Sequence, residues 1–222
     1  MLQAFRNFLT RRTFAYKARN KAMNMFSSFE NFKAIRKKAE DSRKDANRPH
    51  EVLYFHKVDD PYSHLTIHFI EKFKSTYDVK FKSILVGEEN PAALHEPSLY
   101  TDYCLEDVKR IAPFYGVDFP GIDYPKKDLV NKANAILSAV SEEEFESIAK
   151  QVSHAIWSDD QEKLNSLGES YQTSEAEVIE KLKTGNEIRN NCDYYFGSAF
   201  YYEKELYWGV DRLNHLEDRL TE

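Results

Sequence analysis

EVLYFHKVDDPYS, residues 51–63, joins a short apolar run to a strong helix start. Glu51 to His56 has the length and apolar content of a buried strand. Asp60 then precedes Pro61. A carboxylate there can accept hydrogen bonds from the unpaired amides of a helix N-terminus, and proline suits the first helical position. Tyr62, Leu65, Phe69, Ile70 and Phe73 follow at offsets 0, 3, 7, 8 and 11, which predicts one helix over 61–77 with a single buried face. Val79 to Val86 alternates as a second strand. A strand, a helix and a strand in that order imply a parallel pair with a crossover.

The next hundred residues read as helical. Tyr103, Val108, Ile111 and Ala112 give one helix, stopped near Pro113, and Leu129, Ala133, Ile136, Leu137 and Val140 give another. Ser141 with Glu144 and Ser174 with Glu177 are capping-box spacings, each followed by an apolar stripe. Gly185 is the expected C-cap of the second of these helices. Strand-like sequence returns at Ala199–Tyr202 and Leu206–Trp208, a hairpin by spacing although it lacks an Asn-Gly turn. Gly209 opens a last helix with Leu213, Leu216 and Leu220 inward. The order β-α-β, helices, β-β-α predicts an α/β domain of thioredoxin-like fold over 51–222. It carries an inserted helical subdomain at about 91–192 and follows a basic helical arm, residues 1–50.

Composition agrees with a globular chain. Of 222 residues, 41% are hydrophobic and 14% aromatic, and no stretch approaches the apolar length needed to span a bilayer. Two cysteines, Cys104 and Cys192, have neither redox-motif nor metal-site spacing, so two reduced thiols in a cytoplasmic protein are expected. Charge is lopsided. Residues 1–50 carry 13 Lys and Arg against 4 Asp and Glu, a net of +9, and the remainder carries 18 against 33, a net of −15.

The first acidic residue is Glu30. Before it, Phe5, Phe8, Leu9, Ala15 and Tyr16 recur loosely at helical spacing among Arg6, Arg11, Arg12, Lys17, Arg19 and Lys21. Phe29 to Lys44 reads as a charged helix ended by Asn47-Arg48-Pro49. Such an arm suits a solvated helix or a helical contact between subunits of a homodimer. The other readings are an anionic surface, as in a peripheral membrane protein, or a mitochondrial-type presequence. No continuous apolar block marks it for export. The Gly-rich loops and interleaved aromatics of a dedicated RNA-binding module are absent, so no specific nucleic-acid partner is expected.

Asp60-Pro61-Tyr62-Ser63 after the first strand, with Leu206-Tyr-Trp-Gly-Val-Asp-Arg-Leu213 near the end, resembles the DsbA-like superfamily of thioredoxin-fold proteins. Within it, the chain is similar to the branch of 2-hydroxychromene-2-carboxylate isomerase and kappa-class glutathione transferase, over about residues 51–222. The resemblance implies glutathione as cofactor and a small aromatic compound as substrate. Its redox Cys-x-x-Cys is replaced in that branch by Ser-Pro-Tyr-Ser, whose first serine meets the glutathione sulfur. Asp60 stands at that position here, and Ser63 at that of the second redox cysteine. The branch's cis-proline falls on Ser198, beside Gly197. Asp211 matches the aspartate that holds the amino end of glutathione.

These residues define the expected site: Asp60 and Ser63 at the reacting end, with Gly197, Ser198 and Asp211 holding the cofactor. Carboxylates at Asp59 and Asp60 would occupy the helix-terminal amides and repel a thiolate, which weakens thiol activation. A cis bond before a residue other than proline costs about 2.5–4 kcal/mol, so a trans peptide is expected before Ser198. Disulfide exchange is not expected unless Cys104 or Cys192 folds into the cleft. Asp60, His64 and His68 share one helix stripe. An N-cap followed by two half-exposed histidines accounts for them, and no metal is expected. His56 could reach the same mouth and leave Asp60 as a general base. Tyr62, Tyr103, Tyr194, Tyr195 and Tyr201 are candidates to line an aromatic pocket. Trp208 is expected to pack where the sheet meets the last helix. The leading expectation is a glutathione-dependent isomerase or transferase; the alternative is a non-catalytic thioredoxin-fold interaction module.

Overall fold

The computed structural model describes residues 4–6, 14–88, 94 and 96–221. Two compact units divide it, Met1–Pro49 and His50–Glu222. In the first, helices α1 (Phe14–Phe26) and α2 (Phe29–Asp45) meet at Ser28, whose side chain caps α2 by accepting from the Asn31 amide at 3.2 Å. The amphipathic reading of Phe8, Leu9, Arg11 and Arg12 lies outside the described residues.

The second unit is built on a four-stranded sheet in the order β2-β1-β3-β4, formed by β1 (Glu51–His56), β2 (Lys80–Leu85), β3 (Ala199–Tyr202) and β4 (Glu205–Trp208). β1 and β2 are parallel, while β3 pairs antiparallel with both β1 and β4. Strand alternation divides the core. Val52 and Tyr54 join the large cluster that includes Leu65, Phe200 and most of the helical residues, whereas Phe55 packs on the other face with Ile84, Val86 and Ala199. The hairpin turns on Glu203 and Lys204, with φ of +44° and +70°. Those signs belong to a tight turn that matches strand twist, made here without asparagine or glycine.

The crossover is two helices rather than one, α3 (Pro61–Thr66) and α4 (Ile70–Thr76). The backbone tightens between them: the His68 and Phe69 amides donate to the carbonyls three residues back, Leu65 and Thr66. The insertion supplies α5 (Pro97–Ile111), α6 (Lys127–Ala139), α7 (Phe145–Trp157), α8 (Gln161–Ser170) and α9 (Glu175–Asn191). Ser174 and Glu177 form the complete capping box of α9. At Ser141 the box bonds instead hold a turn, and α7 starts later, at Phe145. Gly185 is not a C-cap. It lies inside α9, where a Cβ would come within 1.9 Å of the Leu85 carbonyl oxygen, so glycine there lets the helix rest on the end of β2. A short 3-10 turn (Val210–Arg212) leads into the final helix α10 (Leu213–Thr221), which buries Leu213 and Leu216.

Candidate functional site: a closed notch beside an aromatic cleft

The N-terminus of α3 is sealed by its own cap. Asp60 Oδ1 accepts from the Tyr62 amide at 3.2 Å, and Oδ2 accepts from the Ser63 amide at 3.0 Å and the Ser63 hydroxyl at 2.7 Å. The Lys57 amide donates to Ser63 Oγ at 3.3 Å, and Lys57 Nζ pairs with Asp59 at 3.0 Å. Both helix-terminal donors that would face a thiolate are therefore engaged by a carboxylate.

Gly197 lies directly across this start. A Cβ on it would stand 2.7 Å from Lys57 Cβ, 3.0 Å from Asp60 Oδ2 and 3.1 Å from Ser63 Oγ, so only a bare backbone fits. Ser198 follows, buried, with φ of +53° and a trans peptide before it. Its hydroxyl is 3.2 Å from Thr66 Oγ1, and its carbonyl accepts from the Gly209 amide at 2.8 Å. The structure thus brings Asp60, Ser63, Gly197 and Ser198 together. Ser63, Gly197 and Ser198 are buried, Asp60 is half-buried, and the space left beside them is a notch of about 70 Å³.

Cys104, on α5, also borders that notch, with Tyr100. Its position alone does not make it reactive. Burial pushes its thiol up to about 11, and the charges of Asp60 and Asp107 act in the same direction against the opposing hydroxyl contacts of Tyr100 and Tyr62. At neutral pH it is a thiol, not the thiolate that disulfide exchange requires. Burial raises Cys192 as well.

Two of the three histidines near this start are buried, His56 and His64. His64 is fully buried, not half-exposed. Its Nε2 donates to the Asp118 carbonyl at 2.7 Å, which fixes the tautomer and leaves Nδ1 to accept from Ser153 Oγ at 2.9 Å. Burial depresses its pKa to about 4. His68 is exposed and meets His64 edge-on. His56 points into the core rather than to the mouth: its Nδ1 is 3.0 Å from the Tyr54 hydroxyl, and burial depresses its pKa to about 3.

Next to the notch lies a larger cleft of about 450 Å³, between α5, the start of α3, and β4 with its following turn. Tyr62, Tyr103, Tyr115 and Trp208 supply its rings, and Asp107, Asp211 and Arg212 its charged groups. The Tyr62 hydroxyl donates to Asp107 Oδ2 at 2.8 Å, and Asp211 pairs with Arg212 at 2.8 Å. Trp208 ends β4, just before the turn that leads to the last helix. Its ring stacks on Phe196 (centroids 5.4 Å apart, planes 19° apart) and meets the edge of Tyr62, while Phe196 in turn stacks on Tyr100. Of the five tyrosines expected in a pocket, Tyr62 and Tyr103 line this one. Tyr194 and Tyr195 stack on each other, and Tyr201 packs against the small cluster around Phe55. Sequence reasoning missed Phe196, Tyr100, Tyr115 and Asp107 as parts of this region. The aromatic run Tyr194-Tyr195-Phe196 before Gly197 was the available signal for the first.

No protein-family profile and no curated protein sequence matches the chain. Among solved structures, it is similar to 2-hydroxychromene-2-carboxylate isomerase, with 18% identity, 77% of this chain and 94% of that one aligned, and a TM-score of 0.58. It is also similar to a candidate protein disulfide isomerase from Nitrosomonas europaea, with 14% identity, 78% and 96% aligned, and a TM-score of 0.58. At these identities the likeness is one of fold. The chain has a thioredoxin-like fold, with the helical insertion between its second and third strands.

Proposed function

We propose that the chain binds a small planar aromatic compound in the cleft between α5 and the turn after β4, and that it performs no thiol–disulfide exchange. The aromatic wall carries this reading. Rings from Tyr62, Tyr103, Tyr115 and Trp208 surround about 450 Å³, and a few charged groups stand at its rim. Apolar lining with a small number of orienting polar groups is the usual make-up of a small-molecule site. Glutathione is the companion ligand of this reading, because Asp211 lines the same cleft and would meet its amino end. With Asp60 committed to the amides of α3, an isomerase or transferase step would proceed without activation of sulfur by the helix N-terminus.

Tryptophan fluorescence tests the proposal. The full chain is titrated with a panel of planar aromatic carboxylates, and separately with glutathione, while emission is followed. Saturable quenching that disappears in Trp208→Phe is expected for at least one aromatic compound. If neither class gives a saturable response at millimolar concentration, the cleft reading fails and the non-catalytic interaction module takes its place.

A further inference from the structure

The arm has an organisation that the cleft does not explain. Residues 14–45 carry nine Lys and Arg against four Asp and Glu, and three of those cations lie in α1 with no acidic residue. Taken at helical angles, Phe14, Ala15, Ala18, Ala22, Met25 and Phe26 fall on one arc of α1. Lys17 and Lys21 flank that arc on one side and Arg19 on the other. Long basic side chains placed there can cover the edge of an apolar stripe and still reach outward to anions.

The stripe is uncovered. α1 buries none of its residues, and Phe14, Met25 and Phe26 are 88%, 61% and 71% exposed. The pattern continues on α2, where Phe29, Phe32 and Ile35 are exposed on one side, and the Lys33 ammonium and the Arg36 guanidinium lie over the rings of Phe29 and Phe32. Exposed rings clustered among cations ask for a surface that offers both an apolar layer and negative charge. A protein groove would have to supply both at matched positions, whereas the headgroup zone of an anionic bilayer supplies both everywhere.

We infer that residues 14–45 form a binding element for anionic membranes, in which α1 lies in the plane of the bilayer interface with Phe14, Met25 and Phe26 at the acyl boundary and Lys17, Arg19 and Lys21 on lipid phosphates and carboxylates. The contact belongs to the arm alone, because residues 51–222 carry a net charge of −15 and are repelled by the same surface. Binding is therefore reversible, salt-sensitive and independent of the cleft.

Vesicle co-sedimentation of the full chain tests this. Vesicles of phosphatidylcholine with about 30 mol% phosphatidylserine are expected to retain at least about tenfold more protein than pure phosphatidylcholine vesicles, with the excess lost in high salt. Two sets of substitutions separate the contributions: Phe14→Asp with Met25→Asp and Phe26→Asp removes the apolar anchor, and Lys17→Glu with Lys21→Glu reverses the charge. Either set is expected to abolish retention while circular dichroism of the body stays unchanged, because all these positions are exposed in the arm. Equal retention on neutral vesicles, or retention that survives deletion of residues 1–48, would overturn the inference. So would an arm-dependent dimer, or arm-dependent binding to a polynucleotide, in a chain that ignores phosphatidylserine vesicles.

Discussion

The notch at the start of α3 and the larger cleft both border α3 and α5, yet they are built to opposite ends. At the notch the Asp60 and Ser63 side chains are turned onto the start of α3. Asp60 accepts three hydrogen bonds from its own helix, and Ser63 and Ser198 are buried. In the cleft the rings stay open to solvent, and Trp208 is 37% exposed. The contrast teaches that a helix N-terminus in a thioredoxin-like frame is not automatically an anion or thiolate site. Its donors are available only while no side chain of the protein uses them.

If the closed side is purely structural, its perturbation shows up in stability, and acid should give the largest effect. His64 and His56 are held neutral in the fold at about 4 and about 3, below the ordinary 6.5. The unfolded chain therefore takes up these protons first. The stabilisation is complete above about pH 6.5 and is lost as pH falls through the window toward 4 and then 3. For His64 alone that amounts to about 3 kcal/mol. Urea midpoints at pH 7 and 4.5 measure it, and His64→Asn should flatten the dependence; an unchanged slope in that variant would disprove the assignment.

Removing the cap comes next. Asp60→Ala is expected to cost about 1–2 kcal/mol by leaving the Tyr62 and Ser63 amides without their acceptor, with the cleft's ligand response intact. A lost ligand response in a folded Asp60→Ala would erase the distinction between the two regions. Tyr62→Phe cuts the bond to Asp107 within the cleft and should cost about 1 kcal/mol in a denaturation midpoint. Asp60→Asn is the mildest change, since asparagine still caps; stability should move by less than about 0.5 kcal/mol. Its readout is Cys104: with the neighbouring charge gone, the thiol should ionise more readily, and its iodoacetamide alkylation profile should shift to lower pH. A profile that does not move would remove Asp60 from the causes of the raised thiol pKa.

Much of the frame was legible because its signals are local. Asp60 before Pro61, the apolar spacing of Leu65 and Phe73, and the Ser174–Glu177 box each describe contacts within a few residues, and each recurs in the structure. The failures share the opposite property. Gly185 looked like a C-cap because nothing nearby in sequence reveals that Leu85, a hundred positions earlier, lies against it. His64 looked half-exposed because Asp118 and Ser153, which bury and bond it, come from the insertion. The break between α3 and α4 was likewise invisible to a stripe that runs evenly across it. For the site, the chain order brought Asp60, Ser63 and Gly197 into view, but the stacking of Tyr100, Phe196 and Trp208 joins three distant segments and has no sequence period.

The left-handed backbone at Ser198 bears on which residues that position can take. A pyrrolidine ring fixes φ near −65°, far from the +53° found here. A single replacement of Ser198 by proline would therefore force a different turn at this position. Gly197, Ser198 and the carbonyl bond to Gly209 would all have to be rebuilt together to accept that ring.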